Sequence, residues 1–384
     1  MEADRGATAG NDRVEGAERG ERVRTRTRGG RDPPLWPNAR RRCSRIASGG
    51  SGGTDGGVQT LLLLVGGLAL LVLGGELLVR GSVSLARRLG VSPLVIGLTL
   101  VGFGTSTPEL VTSVQASLSG SPGIAVGNIV GSNIANLLLI LGLSASIAPI
   151  KVASGALRRD GLVMFAVAVL FAVIAWLAPL GRGVGVVFVV ALAVYVISAW
   201  RQEKAGAAAG HTAAYDKAEA AEEVDAALRP EAPSKGALVP AVGLTVLGLL
   251  LVVLGGRWLV VGAVALATAL EVSETVIGLT IVAVGTSAPE LVTSIVAAVR
   301  RQADVALGNV LGSNIYNILG IGGVTALLAP TTVPASIVRF DNLVMVGVSA
   351  LAMGLARTGY RIGRREGVTL LCGYIAYGWA IWPV

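Results

Sequence analysis

Ten apolar stretches of roughly 17 to 25 residues follow one another along the chain, near residues 58–79, 93–118, 123–148, 160–178, 183–200, 237–260, 274–299, 303–329, 341–356 and 367–383. Each has about the length a helix needs to cross 30 Å of hydrocarbon. The pattern therefore predicts an all-α polytopic membrane protein of ten transmembrane helices. The one long polar interruption, residues 201–236, is rich in Ala, Glu and Lys and ends in a Pro-containing run from Arg229 to Lys235. It leaves five stretches on either side, a first membrane repeat over 58–200 and a second over 237–384.

The two halves are copies at a constant offset of 181 residues. Gly74-Gly75 returns as Gly255-Gly256, and Val95-Ile96-Gly97-Leu98-Thr99 as Val276-Ile277-Gly278-Leu279-Thr280. The run from Gly104 to Ser113, with Thr105, Ser106, Pro108 and Glu109 inside it, returns as Gly285 to Ser294 with Thr286, Ser287, Pro289 and Glu290. Gly127-Asn128, Gly131-Ser132-Asn133-Ile134 and Asn136 return as Gly308-Asn309, Gly312-Ser313-Asn314-Ile315 and Asn317. Chance likeness between apolar segments would match Leu and Val; polar residues at fixed spacing mark duplication. With five spans per copy, the second must enter the membrane in the opposite sense, so two inverted five-helix repeats are expected.

Composition agrees with a bilayer setting: the chain is 53% hydrophobic and 15% charged, with mean hydropathy +0.69. Its net charge of +8 describes mainly a tail, because twelve of the 32 Lys and Arg residues lie between Arg5 and Arg45. Those arginines alternate with Gly, Thr and acidic residues and precede Pro-rich and Gly/Ser-rich stretches. Residues 1–57 therefore read as a disordered, dispensable tail rather than a nucleic-acid site, with a native start near Val58 expected. Basic residues cluster in the loops after the first, third, fifth, seventh and ninth stretches, which puts those loops and the 201–236 segment in the cytoplasm. Two cysteines, Cys43 and Cys372, are too few for a disulfide framework, and His211 reads as a surface residue.

The chemistry lies in Glu109 and Glu290. A glutamate inside an apolar span needs a partner or a hydrated cavity, and each of these follows a proline in a Gly-Thr-Ser-x-Pro frame that should break its helix. Hydroxyls of Thr105, Ser106, Thr286 and Ser287 lie within about one turn of the carboxylates. Such an all-oxygen cluster, without His or Cys, suits hard cations such as Ca²⁺ and Na⁺. Ser132 with Asn136 and Ser313 with Asn317 share helix faces that either complete the shell or simply pack helices through their neighbouring glycines. No span holds a His to serve as a base, which argues against an intramembrane hydrolase. Glu76, four residues before Arg80, reads as half of a structural ion pair.

These paired motifs in a ten-span, two-half chain resemble the calcium/cation antiporter superfamily, in particular sodium/calcium exchangers of prokaryotic type. The resemblance covers nearly everything from residue 58 to 384. It implies exchange of Na⁺ for Ca²⁺ by alternating access, with no cofactor beyond the transported ions, in a multi-pass protein of the prokaryotic cell membrane whose partners are lipid and inorganic cations. It assigns Ca²⁺ to Glu109, Glu290, Thr105 and Thr286, and Na⁺ to Ser106, Ser287, Ser132, Ser313 and the carbonyls of Gly102 and Ala283. Potassium-dependent members have Asp where this chain has Asn317, so potassium co-transport is disfavoured. Proton-coupled members place a further Glu after the second motif's Gly-Asn, where this chain has Val310-Leu311-Gly312, which favours Na⁺ over H⁺. A proton-coupled antiporter and a passive cation channel stand as alternatives.

Overall fold

The computed structural model describes residues 55–88, 99–100, 102–152, 157–204, 212–224, 238–301 and 303–382. The expected disordered tail as far as residue 54, with Cys43, the surface His211, most of the repeated run Val95 to Thr99, and the Arg229–Lys235 stretch lie outside these residues; residues 55–57, expected in the tail, instead form the first turn of a helix. Helices dominate the described chain. In sequence order they are α1 (Asp55–Arg88), α2 (Thr107–Leu118), α3 (Pro122–Ile147), α4 (Arg158–Leu177), α5 (Arg182–Lys204) and α6 (Ala213–Val224). There follow α7 (Leu238–Ala269), α8 (Glu274–Thr286), α9 (Ala288–Val299), α10 (Val305–Leu328), α11 (Ile337–Arg357) and α12 (Arg364–Ile381). A two-residue antiparallel ribbon, β1 (Ile150–Lys151) with β2 (Arg361–Ile362), ties the end of α3 to the α11–α12 connection.

Among the described residues, seven helices are long and apolar enough to cross a membrane, and eight if the bent pair α8 and α9 is one span. Helix α2, described only from its broken start, and α12 fall where two further spans are expected but do not meet that length and hydropathy by themselves.

The burial of the spans sorts them into layers. Helices α3 and α10 have 94% and 89% of their spanning residues buried, against 28–39% for α1, α4, α5, α7 and α11. The former form the centre; the latter turn side chains such as Trp176, Leu177, Leu250 and Val190 outward, as a lipid-facing surface requires.

Glycine decides how closely the helices approach. Helices α1 and α7 run antiparallel, with Gly67, Gly74 and Gly81 facing Leu259, Val252 and Thr245. In reverse, Gly248, Gly255 and Gly262 face Leu78, Leu71 and Leu64. A Cβ at Gly74 would stand 2.7 Å from the backbone nitrogen of Val252, so only glycine permits this contact. The two triplets are repeat partners at the sequence offset, and they touch reciprocally. Similarly, Gly123, Gly127 and Gly131 on α3 admit the backbone of α8 at Thr275, Gly278 and Leu279.

Among the described residues, short π-helical segments interrupt three of the long helices, at Asn136–Ile140 in α3, Gly278–Val282 in α8 and Tyr316–Gly322 in α10. Each extra residue per turn shifts the register of the helix beyond it. In α3 and α10 the shift falls on Asn136 and Asn317, polar residues turned into the centre of the protein.

Candidate cation site

The helix breaks fall where the Gly-Thr-Ser-x-Pro frames put them. In the first repeat, a short turn at Gly102–Gly104 ends and α2 begins anew after Ser106, whose backbone lies at φ −88°, ψ 8°. In the second, α8 ends and α9 begins after Ser287 at φ −81°, ψ 12°, with a 50° bend between the two helices. Pro108 and Pro289 each occupy the first turn of the new helix, where a missing N–H costs nothing. Glu109 and Glu290 sit in those same first turns, so each carboxylate faces the positive end of a helix dipole.

The two glutamates are buried to 1% and 2% exposure and are cross-linked between repeats. Ser106 Oγ donates to Glu290 Oε1 at 3.0 Å, and Ser287 Oγ donates to Glu109 Oε1 at 2.9 Å. Each serine therefore serves the carboxylate of the other half. The second oxygens, Glu109 Oε2 and Glu290 Oε2, accept no hydrogen bond, nor do Ser132 Oγ, Asn136 Oδ1 and Asn317 Oδ1. Buried acceptors without donors are costly in a protein interior, and a bound cation would satisfy them. The donor set fits a hard ion: oxygen throughout, with two carboxylates.

Of the remaining expected residues, Thr286 is buried and donates to Asn128 Oδ1 at 3.0 Å. Thr105 and Ser313 accept from the ammonium of Lys217. Asn136 spends its Nδ2 on Asn314 Oδ1 at 2.9 Å, which leaves its carbonyl oxygen to the site. Gly102 is buried beside the break. The Ala283 carbonyl already accepts from Ser287 N and Thr286 Oγ1, so it is the least free of the expected ligands. Glu76 pairs with Arg80, as their spacing suggests.

Three features were not predicted from the sequence. Asn128 Nδ2 bonds the Glu109 carbonyl and Ser113, while Asn309 Nδ2 bonds the Glu290 carbonyl, Thr293 and Ser294. These amides hold the two acid-bearing turns from behind, and their recurrence at the repeat offset was the available signal. Buried Asp160 and Asp341, also repeat partners, accept from Tyr195 and Tyr377 at 3.1 and 2.9 Å. Lys217, in the polar connection between the halves, reaches the site itself. Its signal was a stripe of small residues, Ala213, Ala214, Ala218, Ala220 and Ala221, around one lysine on a short helix.

A buried pair of carboxylates at two helix breaks, in a duplicated bundle of apolar helices, is the arrangement of a membrane protein able to hold a cation between its halves. The sodium/calcium exchanger protein family matches the chain twice, over residues 59–201 and 240–382, and the chain belongs to that family. The chain is 38% identical over 323 residues to a putative antiporter, CaxA, of Alkalimonas amylolytica, covering 83% of this chain and 97% of that protein. It is 36% identical over 341 residues to the sodium/calcium exchanger MaX1 of Methanosarcina acetivorans, with the same coverage of both chains. Among solved structures it resembles the sodium-calcium exchanger NCX_Mj, with TM-score 0.55 and 33% identity over 85% of this chain and 99% of that one. The two family matches start 181 residues apart, at the offset of the sequence repeat. The protein is thus a multi-pass membrane protein of a cation-antiporter family.

Proposed function

We propose that the chain exchanges Na⁺ for Ca²⁺ by alternating access, through ten spans arranged as two inverted repeats in a prokaryotic inner membrane. The observation that carries this reading is the reciprocal pair of serine–glutamate bonds, which places one carboxylate from each repeat in a single oxygen-lined centre. Two negative charges balance one Ca²⁺ or two Na⁺, so the ions compete for the same electrostatic balance. Competition of that kind is a sufficient basis for exchange. The antiparallel, reciprocal packing of α1 on α7 supports the inversion, and it gives a pair of helices whose glycine-lined contact can shift as a unit against the buried centre. Residues 201–236 would face the cytoplasm.

In proteoliposomes, an imposed Na⁺ gradient is expected to drive radiolabelled Ca²⁺ uptake, and a pH gradient without Na⁺ is not. Uptake driven equally well by protons would replace Na⁺ coupling with H⁺ coupling. Uptake that needs no counter-ion would make the protein a channel.

The reciprocal geometry has its own consequence. Ser106→Ala and Ser287→Ala each remove a hydrogen bond to a charged group, worth about 1.5–3 kcal/mol, or roughly ten- to hundredfold in affinity. Both are expected to weaken half-saturation by Ca²⁺, and by similar factors. A large effect from one serine with none from the other would contradict the cross-linked arrangement.

A further inference from the structure

Helix α6 belongs to neither repeat, yet it is among the most enclosed elements in the molecule. Its residues Ala213, Ala214, Ala220 and Lys217 are all 1% exposed or less, although the helix carries five charged side chains. It packs on α10 at Gly312, where an added Cβ would lie 2.8 Å from the Ala213 carbonyl and 3.2 Å from Lys217 Cβ. Gly312 is the repeat partner of Gly131, and Gly131 is the glycine on α3 that admits α8. A groove that the second repeat fills with a helix of its own is, on α10, filled from the central connection.

The lysine on this helix reaches the cation site. Its Nζ donates to Thr105 Oγ1 at 2.7 Å and Ser313 Oγ at 2.6 Å and pairs with Glu290 Oε1 at 3.4 Å. An ammonium has three donors, and these three acceptors use all of them. The effect on the site is visible as an asymmetry. Thr286 donates to Asn128 Oδ1, whereas its repeat partner Thr105 is engaged by Lys217, and the corresponding Asn309 Oδ1 has no partner. The helix is also anchored at its start. Ala213 N donates to Asp160 Oδ2 at 3.0 Å, and Thr212 N to Glu203 Oε1 at 2.6 Å.

We propose that α6 is a tethered plug, in which the Lys217 ammonium occupies part of the cation site and competes with the transported ion, so that the exchanger runs only when cation on the side of the 201–236 segment displaces it. The proposal rests on the reading of Glu109 and Glu290 as the cation site. A lysine is suited to this task because its charge matches that of Na⁺ while its stem keeps it attached to the protein. Seven connecting residues, 205–211, reach at most about 25 Å when extended, enough for a short helix to leave the groove without unwinding α5.

The test uses the full-length chain in proteoliposomes with Ca²⁺ supplied on the 201–236 side. Lys217→Ala removes the competing charge, and Ala214→Leu overfills the docked face of α6 without touching the cation site. Both are expected to lower the Ca²⁺ concentration for half-maximal exchange by about tenfold. Unchanged half-saturation in both variants, beside an active wild type, would overturn the plug and leave the exchanger reading intact. A second readout does not depend on transport. Lys217 is one of four lysines, and Lys151 and Lys204 are exposed internal references. In detergent, saturating Ca²⁺ is expected to raise amine-reagent labelling of Lys217 severalfold relative to those two, with no rise in Glu290→Gln. Labelling of Lys217 that equals the references without Ca²⁺, or that Ca²⁺ leaves unaltered, would refute displacement. Ca²⁺-dependent labelling without any flux would instead uphold the plug and count against the exchanger reading alone.

Discussion

Glu109→Gln and Glu290→Gln are each expected to reduce Na⁺-driven Ca²⁺ flux at least a hundredfold while leaving the protein folded. The amide has the volume of the acid and still offers an oxygen to Ser287 or Ser106, so the cross-link between repeats survives. The loss is one of the two charges that hold a divalent ion. Even at 4 Å and an effective dielectric near 20, one unit-charge pair is worth roughly 4 kcal/mol, about a thousandfold in binding. Thermal unfolding in detergent separates binding from folding: Ca²⁺ should raise the melting temperature of the wild type and not that of either variant. Glu76→Gln is the control, because Glu76 is a half-exposed partner of Arg80 and its loss should change little. Flux at the wild-type level in Glu109→Gln or Glu290→Gln would remove that residue from the site.

The second large effect is on folding. Gly131→Leu is expected to abolish assembly of the bundle, since an added Cβ would stand 2.5 Å from the Leu279 carbonyl oxygen and 2.9 Å from Ala283 Cβ. Both belong to the segment that leads into the Ser287 break, so neither can retreat without moving the site. Overpacking a tight interior costs about 1–3 kcal/mol where side chains can adjust, and more where the obstacle is backbone. Gly243→Leu is the matched control, with no atom within 4 Å of its added Cβ. Size-exclusion profiles and melting temperatures of the two variants should diverge sharply. A Gly131→Leu protein as stable as Gly243→Leu would mean that α3 and α8 do not approach so closely.

These expectations draw unequally on sequence and on structure. Seven or eight of the ten expected spans, the duplication and the burial of the two glutamates were legible because each leaves a linear trace: runs of bilayer length, polar residues recurring at one offset, an acid where hydrocarbon forbids it. The helix breaks were legible for the same reason, since Gly and Pro act on the backbone within a turn of where they stand. The roles of Asn128 and Asn309 were half legible. Their repetition was plain, but a side-chain amide that braces the back of a turn some twenty residues away is a tertiary fact.

By itself, then, the sequence determined the class of protein, its twofold plan and the carboxylates at its centre, because membrane insertion and backbone geometry are local constraints. Only the tertiary structure decided that each serine serves the opposite repeat, that two glycine triplets let α1 and α7 meet reciprocally, and that Lys217 shares the site. The Ser106–Glu290 bond alone joins residues 184 positions apart. Nothing in a linear pattern records which buried donor meets which buried acceptor once the helices have closed around them.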